Sequence, residues 1–422
     1  MTAERDLNPD ARAPWLDLVG IGESGWAGLA EDARAAVTGA RLLVGGERHL
    51  AMVPERAGQQ RMSWPRPIEA GIRALLDRRG EAVCVLASGD PFCFGIGATL
   101  SRHLPAAEMR ALPAPSAFSL AAARLGWPLQ ATRCLSIHGR DPQALRAALA
   151  PGRRLLVLTG DGHGPALIAS LLREAGYGAS RMVAFEAMGG PLEARHAHRA
   201  ADWPPAPIAD LNTVAVECRC NPPQAAVPLT PGRDEARFAH DGQISKQEVR
   251  ALILARLGPR GGECLWDIGA GSGAVAVEWL LADAANRAVA VEADHARLQR
   301  AADNAAAFGV GGALTPWHGR APQALAGLPA PDAVFIGGGL TTPGLLDACW
   351  AALPPHGRCV ATAVTLEGEA ALTATRARLG GRLTRLTVER AAPLGRFQGW
   401  QPLRPVTLWS ALRQPSTIKE DT

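Results

Sequence analysis

Short apolar runs closed by Gly, Pro or Asp alternate with longer stretches of helical period along the whole chain. WLDLVGIG (15–22), ARLLVGG (40–46) and AVCVLASGD (82–90) open the series, and RRLLVLTGD (153–161), RMVAFE (181–186) and LNTVAVE (211–217) continue it. Runs of this length between turn residues predict buried strands. Between them, EAGIRALLDRRG and HGPALIASLLREAG carry apolar residues at helical spacing. Such alternation predicts α/β layers with largely parallel sheets. The stretch 221–236, NPPQAAVPLTPGRDEA, breaks the rhythm with four prolines and neither period, and reads as a linker. The alternation then restarts as helix 244–257, strand 263–267, helix 273–283, strand 287–292 and helix 294–308. Further strands are predicted near 313–317, 332–336, 357–364, 382–390 and 403–410, about seven in all. A weaker break at PAP (113–115) divides the first half. The expected organisation is 14–220, with lobes of about 14–112 and 113–220, a linker at 221–237, and a second domain at 238–412.

A length of 422 residues fits two or three cores better than one. Hydrophobic content of 47% and charged content of 20% belong to a globular chain. No apolar run reaches the roughly 18 residues that span a bilayer, and MTAERDLNPDARAPW has no apolar export segment, so a cytoplasmic location without membrane contact is expected. The eight cysteines form no C-x-x-C pair, and Cys218 and Cys220 have no histidine at zinc spacing, so the cysteines are read as structural and no metal is expected. Net charge is only +4, without a basic block interleaved with aromatics, which argues against nucleic acid. Only Lys246 and Lys419 are lysines among 44 basic residues, so nearly every cation is a forked guanidinium, suited to carboxylates.

The chemistry gathers first in DIGAGSG (267–273). Gly269, Gly271 and Gly273 permit a tight turn at a strand end and close approach of a ligand, with free N–H groups on the helix that follows. A dinucleotide fold wants G-x-G-x-x-G with pyrophosphate on the helix; here the spacing is G-x-G-x-G, and Asp267 would repel a pyrophosphate while accepting from a ligand's ammonium group, directly or through water. Glu292 ends the next strand, 23 residues after Gly269, where an acid can hold ribose hydroxyls. Adenosine at one end and ammonium at the other describe S-adenosylmethionine (SAM). The turn FIGGG at 335–339 lacks the Asn/Asp-Pro-Pro-aromatic pattern of amine methylation, which favours a carbon nucleophile.

ISKQEVRALILARL, ECLWDIGAGSGAVAVEW, VEADHARLQRAADNAAAFGV, HGRAPQAL and PDAVFIGGG, in this order over about 238–412, resemble the CbiT family of decarboxylating precorrin methyltransferases. The resemblance implies a class I, Rossmann-like, seven-stranded fold with SAM contacts at Ser245, Gly269, Ala270, Gly271, Ser272, Gly273, Glu292 and Ala321. Ser245 stands where that family usually has threonine, and Gly337, Gly338 and Gly339 stand where its turn usually contains a serine. In the first half, LVGIGESG, SGDPFCFGIG and PAPSAFSLAAARLGWP resemble the CbiE branch of the tetrapyrrole methylases, over about 14–220. That implies two α/β lobes with SAM between them, held by Gly89, Asp90, Phe92, Ser116 and Ala117, with Gly160 and Asp161 as further candidates. Its first turn departs from the family's GIGPG at Glu23 and Ser24.

The two matches in one chain are similar to the family of fused precorrin C5,15-methyltransferases. This similarity implies SAM-dependent C-methylation at C5 and C15, with one SAM site per domain. It also implies loss of CO2 from an acetate side chain (precorrin-6B to precorrin-8X), in cobalamin biosynthesis and in a homo-oligomer. Lys246, Arg320, Arg396 and Arg404 are candidates for substrate carboxylates, and His240 for a proton shuttle; no residue is assigned as a catalytic base. An RNA methyltransferase with an accessory N-terminal domain, and a SAM-binding regulatory module without turnover, remain as alternatives.

Overall fold

The computed structural model describes residues 14–222 and 226–415. The chain divides into two compact units: one holds the residues through Arg140 and those from Ala150 to the proline-rich stretch, the other holds Asp141–Leu149 and the chain beyond that stretch.

In the first unit, β1 (Leu16–Ile21), β2 (Leu42–Gly45), β3 (Gln60–Ser63), β4 (Val83–Ser88) and β5 (Met109–Leu112) form a sheet in the order β3-β2-β4-β1-β5. All its pairings are parallel. Both faces are covered, which is why β1 is a continuous apolar run: Leu16 and Leu18 enter one core and Val19 and Ile21 the other. A second sheet follows, from β6 (Thr132–Ser136), β7 (Arg154–Leu158), β8 (Arg181–Glu186), β9 (Ala194–Arg199) and β10 (Asn212–Glu217), ordered β6-β7-β10-β8-β9. Here the expectation of parallel strands fails. Only β6 and β7 run parallel, while β10 lies antiparallel between β7 and β8, and β9 is antiparallel to β8. The stretch 187–193 is too short for a crossover helix, so β9 folds back on β8.

In the second unit, β11 (Cys264–Ile268), β12 (Arg287–Glu292), β13 (Leu314–His318), β14 (Ala333–Ile336), β15 (Arg358–Ala363) and β16 (Arg382–Leu386) are followed by a hairpin of β17 (Glu389–Leu394) and β18 (Phe397–Pro402), then by β19 (Val406–Leu412). The hydrophobic pattern predicted one strand at 382–390, and two elements share that stretch. The seven-stranded sheet runs β13-β12-β11-β14-β15-β19-β16, with only β19 antiparallel to its neighbours. Strand order reverses between β11 and β14, so the crevice beyond their carboxyl ends is the natural place for a ligand.

The proline-rich stretch does not run free at its far end. Glu278, on the buried helix Ala274–Ala282, accepts the N–H groups of Gly232 (2.7 Å) and Arg233 (2.9 Å), and Phe238 joins the second unit's core. Among the described residues, no helix is long and apolar enough to cross a membrane.

Candidate functional site

The turn after β11 needs its glycines for two reasons. All three have positive φ, +68° at Gly269, +56° at Gly271 and +70° at Gly273, a region that costs other residues about 1–2 kcal/mol. A Cβ on Gly269 would also stand 2.8 Å from the backbone of Gly338, in the turn after β14. The two strand ends therefore meet backbone to backbone at the switch point. They open into a cavity of about 920 Å³, walled by the loop 242–246, the glycine turn, Glu292, Ala321 and Gly337–Gly339.

Of the residues proposed for SAM in this half, Ser245, Gly269, Ala270, Gly271, Ser272, Glu292 and Ala321 line that cavity. Gly273 lies behind the wall, at the helix N-cap, where a Cβ would meet Ala301 at 2.7 Å. Glu292 accepts from Gly271 N–H (2.9 Å) through one oxygen and from Ala293 (2.8 Å) and Asp294 (3.1 Å) through the other. Three backbone donors fix the carboxylate's direction and leave about one of its four acceptor sites for a ligand hydroxyl.

Asp267 stands back from the wall. It is 1% exposed, does not line the cavity, and accepts Ala276 N–H at 3.1 Å, under the helix Ala274–Ala282. That bond ties strand to helix through one oxygen, while the other, Oδ1, is buried without a hydrogen-bond partner. Burial pushes its carboxyl up to about 7, the Ala276 bond opposing the shift and the Glu292 charge adding to it. Below pH ~4 both folded and unfolded forms carry the proton, so this contribution to stability is fully present there. As pH rises toward 7 the unfolded form ionises while the folded form resists, and the contribution is lost. Denaturation curves from pH 4 to 8 should show Asp267→Asn sparing on the order of 2–4 kcal/mol of that loss; parallel curves for the two proteins would refute the assignment.

Lys246, Arg320 and Arg404 do line the cavity, whereas Arg396 sits on the β17–β18 turn, stacked 5.1 Å over Phe397. His240 is exposed, off the cavity wall, and accepts Gly242 N–H at 3.0 Å, so it shapes a loop. Sequence reasoning passed over the residues that hold that loop. Asn304 (3% exposed) accepts Ala239 N–H at 2.8 Å and donates to the carbonyls of Ala239 (2.9 Å) and Ser272 (2.8 Å), joining the loop to the glycine turn. Arg250, fully buried against Glu278, donates to the Ser245 carbonyl. Arg297 also lines the cavity, paired with Asp241 at 2.9 Å.

In the first unit, the proposed residues converge where three turns touch. Gly89 (φ +57°) leaves no room for a Cβ, which would fall 2.8 Å from Pro115 O, and Gly20 packs so tightly on Gly89 O that a Cβ would overlap it. Asp90 accepts Phe92 N–H (2.8 Å), Ser116 caps the helix Ala117–Leu125 through Ser119 N–H (3.1 Å), and Phe92 is 45% exposed. Gly160 and Asp161 lie at the end of β7, beside His138.

A seven-stranded sheet of this order, with a glycine turn and an acid at its switch point, defines a class I SAM-dependent methyltransferase. Residues 236–413 match the family described as Precorrin methyltransferase domain, and residues 16–202 match Tetrapyrrole (Corrin/Porphyrin) Methylases. A precorrin-6Y C(5,15)-methyltransferase (decarboxylating) of Sinorhizobium sp is 48% identical over 402 residues, 95% of this chain and 97% of that protein. The protein of the same description from Mycobacterium tuberculosis strain H37Rv is 42% identical over 94% of this chain and 99% of its own. A crystal structure of the C-terminal domain of precorrin-6Y C5,15-methyltransferase from Rhodobacter capsulatus is 49% identical, covering 44% of this chain and 100% of that one, with a TM-score of 0.43. The chain belongs to the precorrin-6Y C5,15-methyltransferase (decarboxylating) family.

Proposed function

We propose that each unit binds its own SAM, and that together they methylate one precorrin at C5 and C15 while an acetate side chain loses CO2. The product would be precorrin-8X in cobalamin biosynthesis. The observation that carries this is the presence of two separately built glycine turns, after β4 and after β11, in folds of different topology. SAM, when bound, supplies an electrophilic methyl: the substrate carbon's π pair forms the new C–C bond while sulfur keeps the pair of the broken S–C bond. No protein nucleophile is needed, so the chain's work is alignment. In the second unit the glycine turn admits the cofactor, Glu292 and Ser245 orient it, and Lys246, Arg320 and Arg404 meet substrate carboxylates. Decarboxylation breaks a C–C bond whose electrons pass into the protonated macrocycle, so the protein needs only to hold that macrocycle in place.

Calorimetry with SAM on the intact chain should give two equivalents bound. Mass spectrometry of the product from supplied precorrin should give two methyl groups gained and one CO2 lost. A single equivalent, or one methyl at completion, would end the two-site reading.

A further inference from the structure

One residue of the first unit keeps an expensive conformation with no use in the core. Phe94, five residues past the Gly89 turn, has φ +57°, yet 43% of it is exposed. A bulky side chain in the left-handed region is an outlier that persists only where its surroundings impose it, and such outliers collect at ligand sites. The surroundings here are a tightly wound loop. Gly97 N–H bonds to Pro91 O at 2.9 Å, and a Cβ on Gly95 or Gly97 would strike that same carbonyl at 2.5 or 2.8 Å. The loop presents the ring outward. Phe118 meets it edge-on at 5.6 Å, and the guanidinium of Arg140, at the end of the loop after β6, stacks over it at 5.2 Å. Arg140 is itself exposed. A guanidinium stacked on a ring keeps its in-plane N–H fork directed outward, able to grip a carboxylate in two bonds.

An exposed aromatic ring with an in-plane carboxylate grip at its rim matches a flat, apolar macrocycle fringed with carboxylates. We propose that Phe94 and Arg140 are the substrate platform of the first unit: Phe94 packs against the tetrapyrrole, and Arg140 binds one of its peripheral carboxylates. Phe94 follows the proposed cofactor residues Gly89, Asp90 and Phe92 closely in the chain. The proposal rests on the reading that the first unit is itself a precorrin methyltransferase.

The test uses Phe94→Gly, because glycine adopts φ +57° without strain and removes only the ring. Assays run in the Gly269→Ala background, where the second site is silenced, so a single methyl gain reports the first unit. The variant should melt no lower than its parent and bind SAM within about twofold. Its KM for precorrin should rise about tenfold while kcat holds. Arg140→Ala should raise KM likewise, and Phe94→Tyr should behave as the parent. An unchanged KM in Phe94→Gly overturns the proposal, and so does an equal loss of SAM affinity, which would make the ring a part of the cofactor turn. Titration with an octacarboxylate porphyrin separates the two readings. Loss of one porphyrin equivalent in Phe94→Gly, in a first unit that transfers no methyl, leaves the platform standing and sinks the activity. A porphyrin stoichiometry unchanged by both substitutions sinks the platform alone, and an unaltered chain whose first unit adds no porphyrin equivalent and transfers no methyl sinks both.

Discussion

Replacing Glu278 by alanine is expected to cost the second unit about 3–5 kcal/mol, the loss typical of stranding a buried charge. Glu278 is 1% exposed and lies between Arg250 (0%) and Arg233 (4%). One carboxylate oxygen accepts Arg250 Nε (2.8 Å) and the Arg233 N–H (2.9 Å), and the other accepts Gly232 N–H (2.7 Å) with Arg233 Nη1 at 3.7 Å. Arginine does not shed its charge on this scale, so alanine would leave two buried cations facing each other with no anion. Arg233 is already the strained member: burial lowers its pKa, Glu278 alone opposes that, and its Nε and Nη1 have no hydrogen bond. The damage should reach function, because Arg250 also donates to the carbonyls of Ser245 and Arg233 and its guanidinium lies 4.9 Å from the Phe238 ring. Losing that anchor releases the loop that forms one side of the cavity. Hydrogen exchange along the helix Ala274–Ala282 should quicken in Glu278→Ala, and calorimetry should lose one SAM equivalent. Protection and stoichiometry equal to the parent's would show that the network contributes nothing. Because the two units need not unfold together, the measurement must follow the second unit and not a single global midpoint.

That network shows where sequence reading stopped. The central strands of each sheet were legible because covered faces demand unbroken apolar runs. The edge strands β3, β5 and β9 were not: QRMS, MRAL and ARHAHR have exposed faces and no apolar run to betray them. Nor does LNTVAVE carry any mark of direction, so the antiparallel insertion of β10 was invisible. Glycine turns are local, and Gly269, Gly271 and Glu292 could be placed together at one cavity from spacing alone. The burial of Asp267 had its own signal in the strand pattern. Cys264, Trp266 and Ile268 share one face of β11, so alternation puts Asp267 with Leu265 on the other, under the following helix. Arg250 had a signal as well. It falls in the helix Gln247–Leu257 on the stripe of Val249, Ile253, Leu254 and Leu257, and a cation on an apolar stripe needs a buried partner. That the partner is Glu278, 28 positions away, is a fact of packing. Asn304 gave less warning, since polar residues are routine on a helix such as His295–Ala307.

Gly269→Ala is expected to abolish SAM binding at the second site, weakening it about a hundredfold or more while the first site is untouched. Two costs combine. Alanine at φ +68° pays the left-handed penalty, and its methyl would stand 2.8 Å from the Cα and N of Gly338. These are backbone atoms at the end of β14, fixed by Gly337 N–H on Ile268 O at 2.9 Å, so neither side can yield as a flexible side chain would. The strand ends must part, and the cavity between them loses its shape. Gly271→Ala separates the two costs, because it has φ +56° but a Cβ there would meet nothing closer than Gln243 O at 3.9 Å. It should weaken binding only about tenfold, the equivalent of ~1.4 kcal/mol of backbone strain. Calorimetry on Gly269→Ala should therefore fall from two equivalents to one. Its product should carry one new methyl and retain the acetate carboxyl, on the proposal that methylation in the second unit and CO2 loss share one site. Decarboxylation that continues in this variant would move that chemistry out of the crevice between β11 and β14, and two full-affinity equivalents would remove the cofactor from it as well.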